Sequence, residues 1–135
     1  MEFNLRKLNS TDYEDILVGW WKDWEWTAPP KDFLPENGEG GVIIFDGEVP
    51  VCAGFMYATN SKVAWIEFVI SNKNYDREKR KEALVLLIDT LNGICKNGDF
   101  KYGYSILHSK SLIETYESLG YVKGDSNFFE MIKIL

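Results

Sequence analysis

The feature that most constrains this chain is a change of apolar period near its centre. Three runs, GVIIFD, VPVCAGFMYAT and KVAWIEFVIS, follow one another from residue 41 to residue 71, separated by the dipeptides Asp46-Gly47 and Asn60-Ser61. Apolar, β-branched runs broken by turn dipeptides predict three antiparallel strands in a meander. Pro50 has no N–H for a strand ladder, so it belongs at a strand start, an edge or a bulge. From Asp76 to Asn97 the period becomes helical, with Leu84, Leu87, Ile88, Leu91 and Ile94 on one face and Asn97-Gly98 as the stop. A meander that feeds straight into a long amphipathic helix predicts a sheet covered by helices.

The flanks extend this order. Residues 2–8 read as a short strand, and Thr11 with Glu14 has the spacing of a capping box, so a helix is expected to start there. Its apolar positions Tyr13, Ile16, Leu17, Trp20, Trp21 and Trp24 form one helical stripe. Pro29, Pro30, Pro35, Gly38, Gly40 and Gly41 make Thr27–Gly41 a long loop. Beyond the long helix, Lys101–Leu107 alternates as a strand, a capped helix runs from about Ser109 to Leu119 with Gly120 as its stop, and a last strand is expected at Phe128–Leu135. The expected fold class is α+β in α/β/α layers, a mixed, mostly antiparallel twisted sheet flanked by helices, with residues 1–135 as one domain.

Composition removes several function classes. The net charge of −6 argues against general nucleic-acid binding, which depends on a dominant basic face that neutralises many phosphates. No apolar run approaches the ~18–20 residues of a membrane span, and the N-terminus MEFNLRKLNS lacks a basic start followed by an apolar stretch. A cytoplasmic protein with no membrane partner is expected. Cys52 and Cys95 lie in apolar segments and share no ligand spacing with His108, so buried reduced thiols are expected and no metal site.

The element order, with the long helix directly after the third meander strand, resembles the GNAT superfamily of N-acetyltransferases. The local match is SKSLIETYESLGY, Ser109–Tyr121, which resembles the family's small polar residue, aliphatic pair, Tyr and Gly-aromatic corner. The resemblance implies acetyl-CoA as cofactor, an amine of a small molecule or protein as acceptor, and a Tyr at the place of Tyr116 beside the acetyl-CoA sulfur as proton donor to the thiolate. Glu67 would be the carboxylate that relatives often place on this strand as base. The backbone of Phe68, Val69 and Ile70 would hold the pantetheine arm, and Ser109 stands where many relatives carry a cofactor-contacting Asn. The aromatic-rich first helix, Pro-rich loop and altered cofactor loop also resemble small acetyltransferase-like proteins of bacteriophages, which implies the host cytoplasm.

The family writes a glycine-rich pyrophosphate loop before the long helix, where glycines let backbone N–H groups approach two phosphates. This chain reads Asp76-Arg77-Glu78-Lys79-Arg80-Lys81-Glu82-Ala83 there, with Arg80 and Glu82 in place of the glycines. Arg77, Lys79, Arg80 and Lys81 are the side chains that would bind phosphate instead; the bland reading of the run is a solvated helical turn. Tyr116 shares a helical face with Leu112, Ile113 and Leu119, so its alternative is a core aromatic. Trp24, Trp26 and Phe33 are the candidates for an aromatic acceptor wall suited to a cationic amine, although helical spacing makes Trp20, Trp21 and Trp24 core residues.

Two function classes follow. The leading one is an acetyl-CoA-dependent N-acetyltransferase, as monomer or homodimer. The other is a catalytically inactive GNAT-fold binding protein, a phage factor that captures a host protein or a small signal molecule, motivated by the missing glycines and the tryptophan-rich first third.

Overall fold

The computed structural model describes residues 2–135. Five strands form one sheet in the order β1-β2-β3-β4-β5: β1 Asn4–Lys7, β2 Gly41–Asp46, β3 Val49–Ala58, β4 Val63–Ser71 and β5 Tyr102–Tyr104. The first four pair antiparallel and β5 runs parallel to β4, so the sheet is mixed and mostly antiparallel as expected. The three meander strands fall within the runs read from the sequence. Pro50 lies at a bulge, where the β2–β3 register shifts between Ile44 and Phe45.

Helices cover both faces. Helix α1, Val18–Asp23, continues a π-helical stretch Tyr13–Leu17 and buries Leu17, Trp20 and Trp21 against Ile43, Ala53, Phe55 and Ile70. On the other face α2, Arg77–Asn97, and α3, Lys110–Ser118, close over Ile44, Cys52, Ala64 and Ile66, adding Leu87, Ile88, Leu91 and Tyr116 to that core. Alternate residues of β2 and β3 serve the two cores, which is the period-two consequence of a sheet buried on both sides. Cys52 and Cys95 are buried free thiols. Among the described residues no helix is long and apolar enough to cross a membrane.

Several expectations are corrected. Thr11 and Glu14 form no capping box. Asn9 and Asp12 take that role: Asn9 Oδ1 accepts from the Asp12 N–H at 3.2 Å, and Asp12 Oδ2 accepts from the Asn9 N–H at 2.8 Å. Asp12 is 3% exposed and also receives both Arg6 guanidinium nitrogens, at 2.7 and 3.0 Å, whereas Glu14 faces outward to Lys31. The frame with more charge-assisted bonds wins. The buried stripe of α2 is Ala83, Leu87, Ile88, Leu91 and Cys95: Leu87, Ile88 and Leu91 hold the centre of the expected face, while Leu84 is half-buried and Ile94 exposed at its margins. The stop of α2 is as expected, with Asn97 its last residue and Gly98 its C-cap, and a positive φ follows at Asp99.

The largest correction is at the C-terminus. Phe128–Leu135 forms no strand in the described sheet, and its apolar side chains are exposed. A strand pattern gives a segment the capacity to pair, but the ladder bonds need a neighbour at the right distance. Lys101–Leu107 likewise contributes only Tyr102–Tyr104 to the sheet, for a reason visible at the site.

Candidate active site

Strands β4 and β5 touch over a short length and then part. Their parallel register covers Val63–Trp65 against Tyr102–Tyr104, with the Trp65 and Tyr104 rings 4.3 Å apart. Past Trp65 the strands are joined by side chains: Ser105 Oγ donates to the Ile66 carbonyl at 2.5 Å, and the Ile106 N–H donates to Glu67 Oε1 at 2.6 Å. From there to Ser71, β4 has no strand beside it on the β5 side.

On its other side β4 carries a bulge. Glu67 pairs with Phe55 and Ile70 with Ala53, so Phe68 and Val69 together oppose Gly54. Phe68 takes φ +53°, a left-handed conformation that a bulky aromatic rarely adopts, at a cost of about 1–3 kcal/mol. The bulge turns Phe68 onto the α1 face, where its ring meets Phe33 edge-on at 5.7 Å and Tyr57 at 6.3 Å, while Val69 returns to the α2 face. The Gly54 in β3 was the sequence signal for this, since an isolated glycine in a strand marks a bulge or close approach.

Two titratable groups converge on the gap. Glu67 is half-buried, and desolvation raises its pKa to about 7 against the opposing effect of the Ile106 N–H, with the Glu130 carboxylate adding repulsion. Tyr116 reaches through from α3: its ring is 2% exposed and its hydroxyl donates to the Ile66 carbonyl at 3.3 Å. Burial pushes the phenol well above its ordinary pKa, so it stays protonated. Tyr121 lies edge-on to it at 4.8 Å and donates to Asn92 Oδ1 at 2.6 Å. Gly103 on β5 makes room for Tyr121, because a Cβ there would stand 2.7 Å from the Tyr121 hydroxyl.

The other candidates fall at separate places. Ser109 caps α3 through its Oγ, which accepts from the Leu112 N–H at 3.4 Å. Asp76 caps α2 by accepting from the Lys79 N–H at 3.0 Å, so a carboxylate already occupies the helix N-terminus. Arg80 departs from the reading as a phosphate ligand: its Nη1 donates to the carbonyls of Asn72, Lys73 and Tyr75, and its guanidinium lies over the Trp24 ring at 5.5 Å. Arg77, Lys79 and Lys81 are exposed, with no ion pair among the described residues. Trp24 donates to the Ser71 carbonyl at 2.8 Å and stacks on Trp26 at 5.4 Å. Trp24 and Trp26 thus stand at the α2 end of β4, and Phe33 stands at Phe68 near Glu67. Sequence reasoning missed Ser105, Tyr57 and Tyr121 as neighbours of the gap.

A five-stranded, mostly antiparallel sheet with flanking helices and a parted β4–β5 pair is the GNAT acetyltransferase fold. Solved structures bear this out. AAC(6')-Iy, solved with the bisubstrate analogue CoA-S-monomethyl-acetylneamine, matches with a TM-score of 0.69 at 14% identity, over 99% of this chain and 100% of that one. Glucosamine-6-phosphate N-acetyltransferase from Arabidopsis thaliana matches with a TM-score of 0.68 at 12% identity, over 98% and 100%. The ribosomal-protein-S18-alanine N-acetyltransferase from Escherichia coli matches with a TM-score of 0.69 at 14% identity, over 92% and 80%. At the level of sequence, no family model and no curated protein matches the chain.

Proposed function

We propose that this protein is an acetyl-CoA-dependent N-acetyltransferase acting on an amine of a small molecule or protein. The observation that carries the reading is the convergence of the Glu67 carboxylate and the Tyr116 hydroxyl on the gap where β4 and β5 part. The residues present suit the cofactor in two places. The gap leaves room beside the Phe68, Val69 and Ile70 backbone for an extended amide-bearing arm to lie as a strand would. Arg77, Lys79 and Lys81 offer cations for the phosphates through side chains, in place of glycine-exposed backbone.

Acetyl-CoA, when bound, would supply an activated acetyl group. In this reading Glu67 takes a proton from the incoming ammonium, a task that suits a carboxyl whose pKa is raised to about 7, near the working pH. Tyr116 holds its proton at the phenolic oxygen and delivers it to the departing thiolate. Ser105 fixes the Ile66 carbonyl to which that phenol is tethered. Phe33, Tyr57 and Phe68 form the aromatic side of the acceptor position, and Trp24 and Trp26 border the phosphate end.

One observation favours a second reading, a GNAT-fold binding protein without catalysis, of the kind bacteriophages carry. The α2 N-terminus is closed by Asp76, and Arg80 is committed to loop carbonyls. Isothermal titration with acetyl-CoA, coenzyme A and an analogue lacking the adenosine phosphates separates the two. Micromolar binding that weakens without the phosphates supports the enzyme, and thiol release with a panel of amines then finds the acceptor. Absence of heat and of thermal stabilisation at millimolar ligand rejects it in favour of the binding protein.

A further inference from the structure

Helix α1 ends in a Schellman motif that no glycine serves. Glu25 takes φ +61°, the Trp26 N–H donates to the Trp21 carbonyl at 2.9 Å, and the Glu25 N–H donates to the Lys22 carbonyl at 2.9 Å. The left-handed position of this motif favours glycine, because a Cβ is strained there. The cap turns Trp26 back alongside the helix, where its ring stacks on Trp24 with centroids 5.4 Å apart and planes 17° from parallel. Trp24 is itself fixed, by its bond to the Ser71 carbonyl and by Lys73 and Arg80 over its ring at 5.4 and 5.5 Å. Trp26, in contrast, is 52% exposed, and Trp24 is its only ring partner among the described residues. A lone exposed aromatic is ordinary. An indole held by main-chain bonds, with one face on a second indole and the other open to solvent, has the build of a stacking platform.

Its place in the fold says what would stack there. From Glu67 to Ser71, β4 runs four residues, about 13 Å at roughly 3.3 Å per residue. The pantetheine arm is of comparable length, so a cofactor whose thioester lies at Glu67 and Tyr116 brings its phosphates to the end of β4 that Trp24 closes. Arg80, over the Trp24 ring, belongs to the first turn of α2, and Arg77 three positions earlier is its neighbour on the helix surface. Arg77 is exposed and has no ion pair among the described residues. A free guanidinium and an open indole face are thus linked through Arg80 and Trp24. That combination matches the two things a nucleotide presents, an anionic phosphate and a flat π surface.

We propose that Trp26 is the platform on which the adenine base of acetyl-CoA stacks, with Arg77 beside it for the phosphates. The inference rests on the acetyl-CoA reading above and places the base apart from the acceptor position at Phe33 and Phe68. Stacking reads the face of the base rather than its edge, so it needs no glycine-exposed backbone.

Isothermal titration of the full chain with acetyl-CoA, followed also by tryptophan emission, tests this with two variants. Trp26→Leu keeps apolar bulk on Trp24 but no π face, and should weaken acetyl-CoA binding by about 5–150-fold, the range of one base–aromatic stack. Trp26→Phe keeps the face and should hold most of the affinity, while losing most of the emission quench that acetyl-CoA causes in the wild type. Wild-type affinity in Trp26→Leu overturns the proposal, as does an equal loss in both variants or a quench that survives Trp26→Phe in full. A wild-type chain that binds acetyl-CoA while either variant behaves in one of those ways leaves the acetyltransferase reading standing. A wild-type chain that does not bind acetyl-CoA rejects that reading and this inference together.

Discussion

Glu67 and Ile106 are joined by a 2.6 Å hydrogen bond from backbone N–H to carboxylate, and this bond, next to the one from Ser105 to the Ile66 carbonyl, spans β4 and β5 where their ladder stops. A side chain thereby stands in for a main-chain contact, and the carboxylate is placed inside the gap rather than on an open face. Its half-buried position raises its pKa to about 7.

The first prediction concerns that carboxylate. The folded-state pKa lies above the ordinary value of 4.5, so the native state binds more protons than the unfolded state between about pH 4.5 and 7. Stability contributed by protonated Glu67 is therefore present below pH 4.5 and lost as pH rises through 7. With screening allowed for at this partly exposed site, the loss is about 1–2 kcal/mol. Glu67→Gln keeps an oxygen for the Ile106 N–H and should flatten this slope in thermal melts across pH 4 to 8, while acetyl transfer falls by about 10²–10⁴ and loses its rise near pH 7.

Tyr116→Phe separates the role proposed for the phenol from its part in the scaffold. Ser105 still donates to the Ile66 carbonyl, so the lost phenolic bond should lower stability by only about 0.5–1 kcal/mol. Turnover should fall at unchanged coenzyme A affinity, read by steady-state kinetics beside calorimetry. Equal turnover in the mutant would remove Tyr116 from the chemistry.

The cations of α2 should divide into two groups. Arg80→Met removes a charged donor shared among three carbonyls and should destabilise by about 1.5–3 kcal/mol in urea titrations. Arg77→Ala with Lys81→Ala should leave stability within about 0.5 kcal/mol and weaken coenzyme A binding with a shallower salt dependence. The reverse assignment, with Arg80 dominating affinity, would show the loop contacts to be incidental.

Gly103→Ala tests how tightly α3 is seated on β5. The new Cβ meets the Tyr121 hydroxyl at 2.7 Å, and Asn92 holds that hydroxyl in place, so overpacking should cost about 1–3 kcal/mol. In a Tyr121→Phe background the nearest ring carbon is 3.4 Å away, and most of the penalty should vanish. Additive losses in the double mutant would reject the contact as the cause.

Most of the fold was legible because its signals are local. The Asp46-Gly47 and Asn60-Ser61 turns, the Ser109 cap, the Asn97-Gly98 stop and the two periods placed β2 to β4, α2 and α3 without tertiary information. The helix start was misread because Asn9/Asp12 and Thr11/Glu14 share one spacing, and the Arg6 guanidinium at the end of β1 decides between them by pairing with Asp12. Phe68 carries no signal for its left-handed backbone; the cause lies across the ladder, at Gly54. The last strand was misread because pairing is a property of two segments, and the pattern describes one. At the site, Glu67 bonds to the Ile106 N–H and Tyr116 to the neighbouring Ile66 carbonyl, partners that no local pattern names, and Arg80 was read as a ligand from its charge and place, which cannot distinguish a ligand from a loop anchor.

The sheet acts as a partition. Residues that alternate along β2 and β3 send Ile43, Ala53 and Phe55 to one compartment and Val42, Ile44 and Cys52 to the other, with backbone between them. Changes on the tryptophan side are thus insulated from the compartment that holds Tyr116, and their effects on stability should sum independently. Such a wall lets the tryptophan-bearing half of the molecule be rewritten while the half that seats Tyr116 stays as it is.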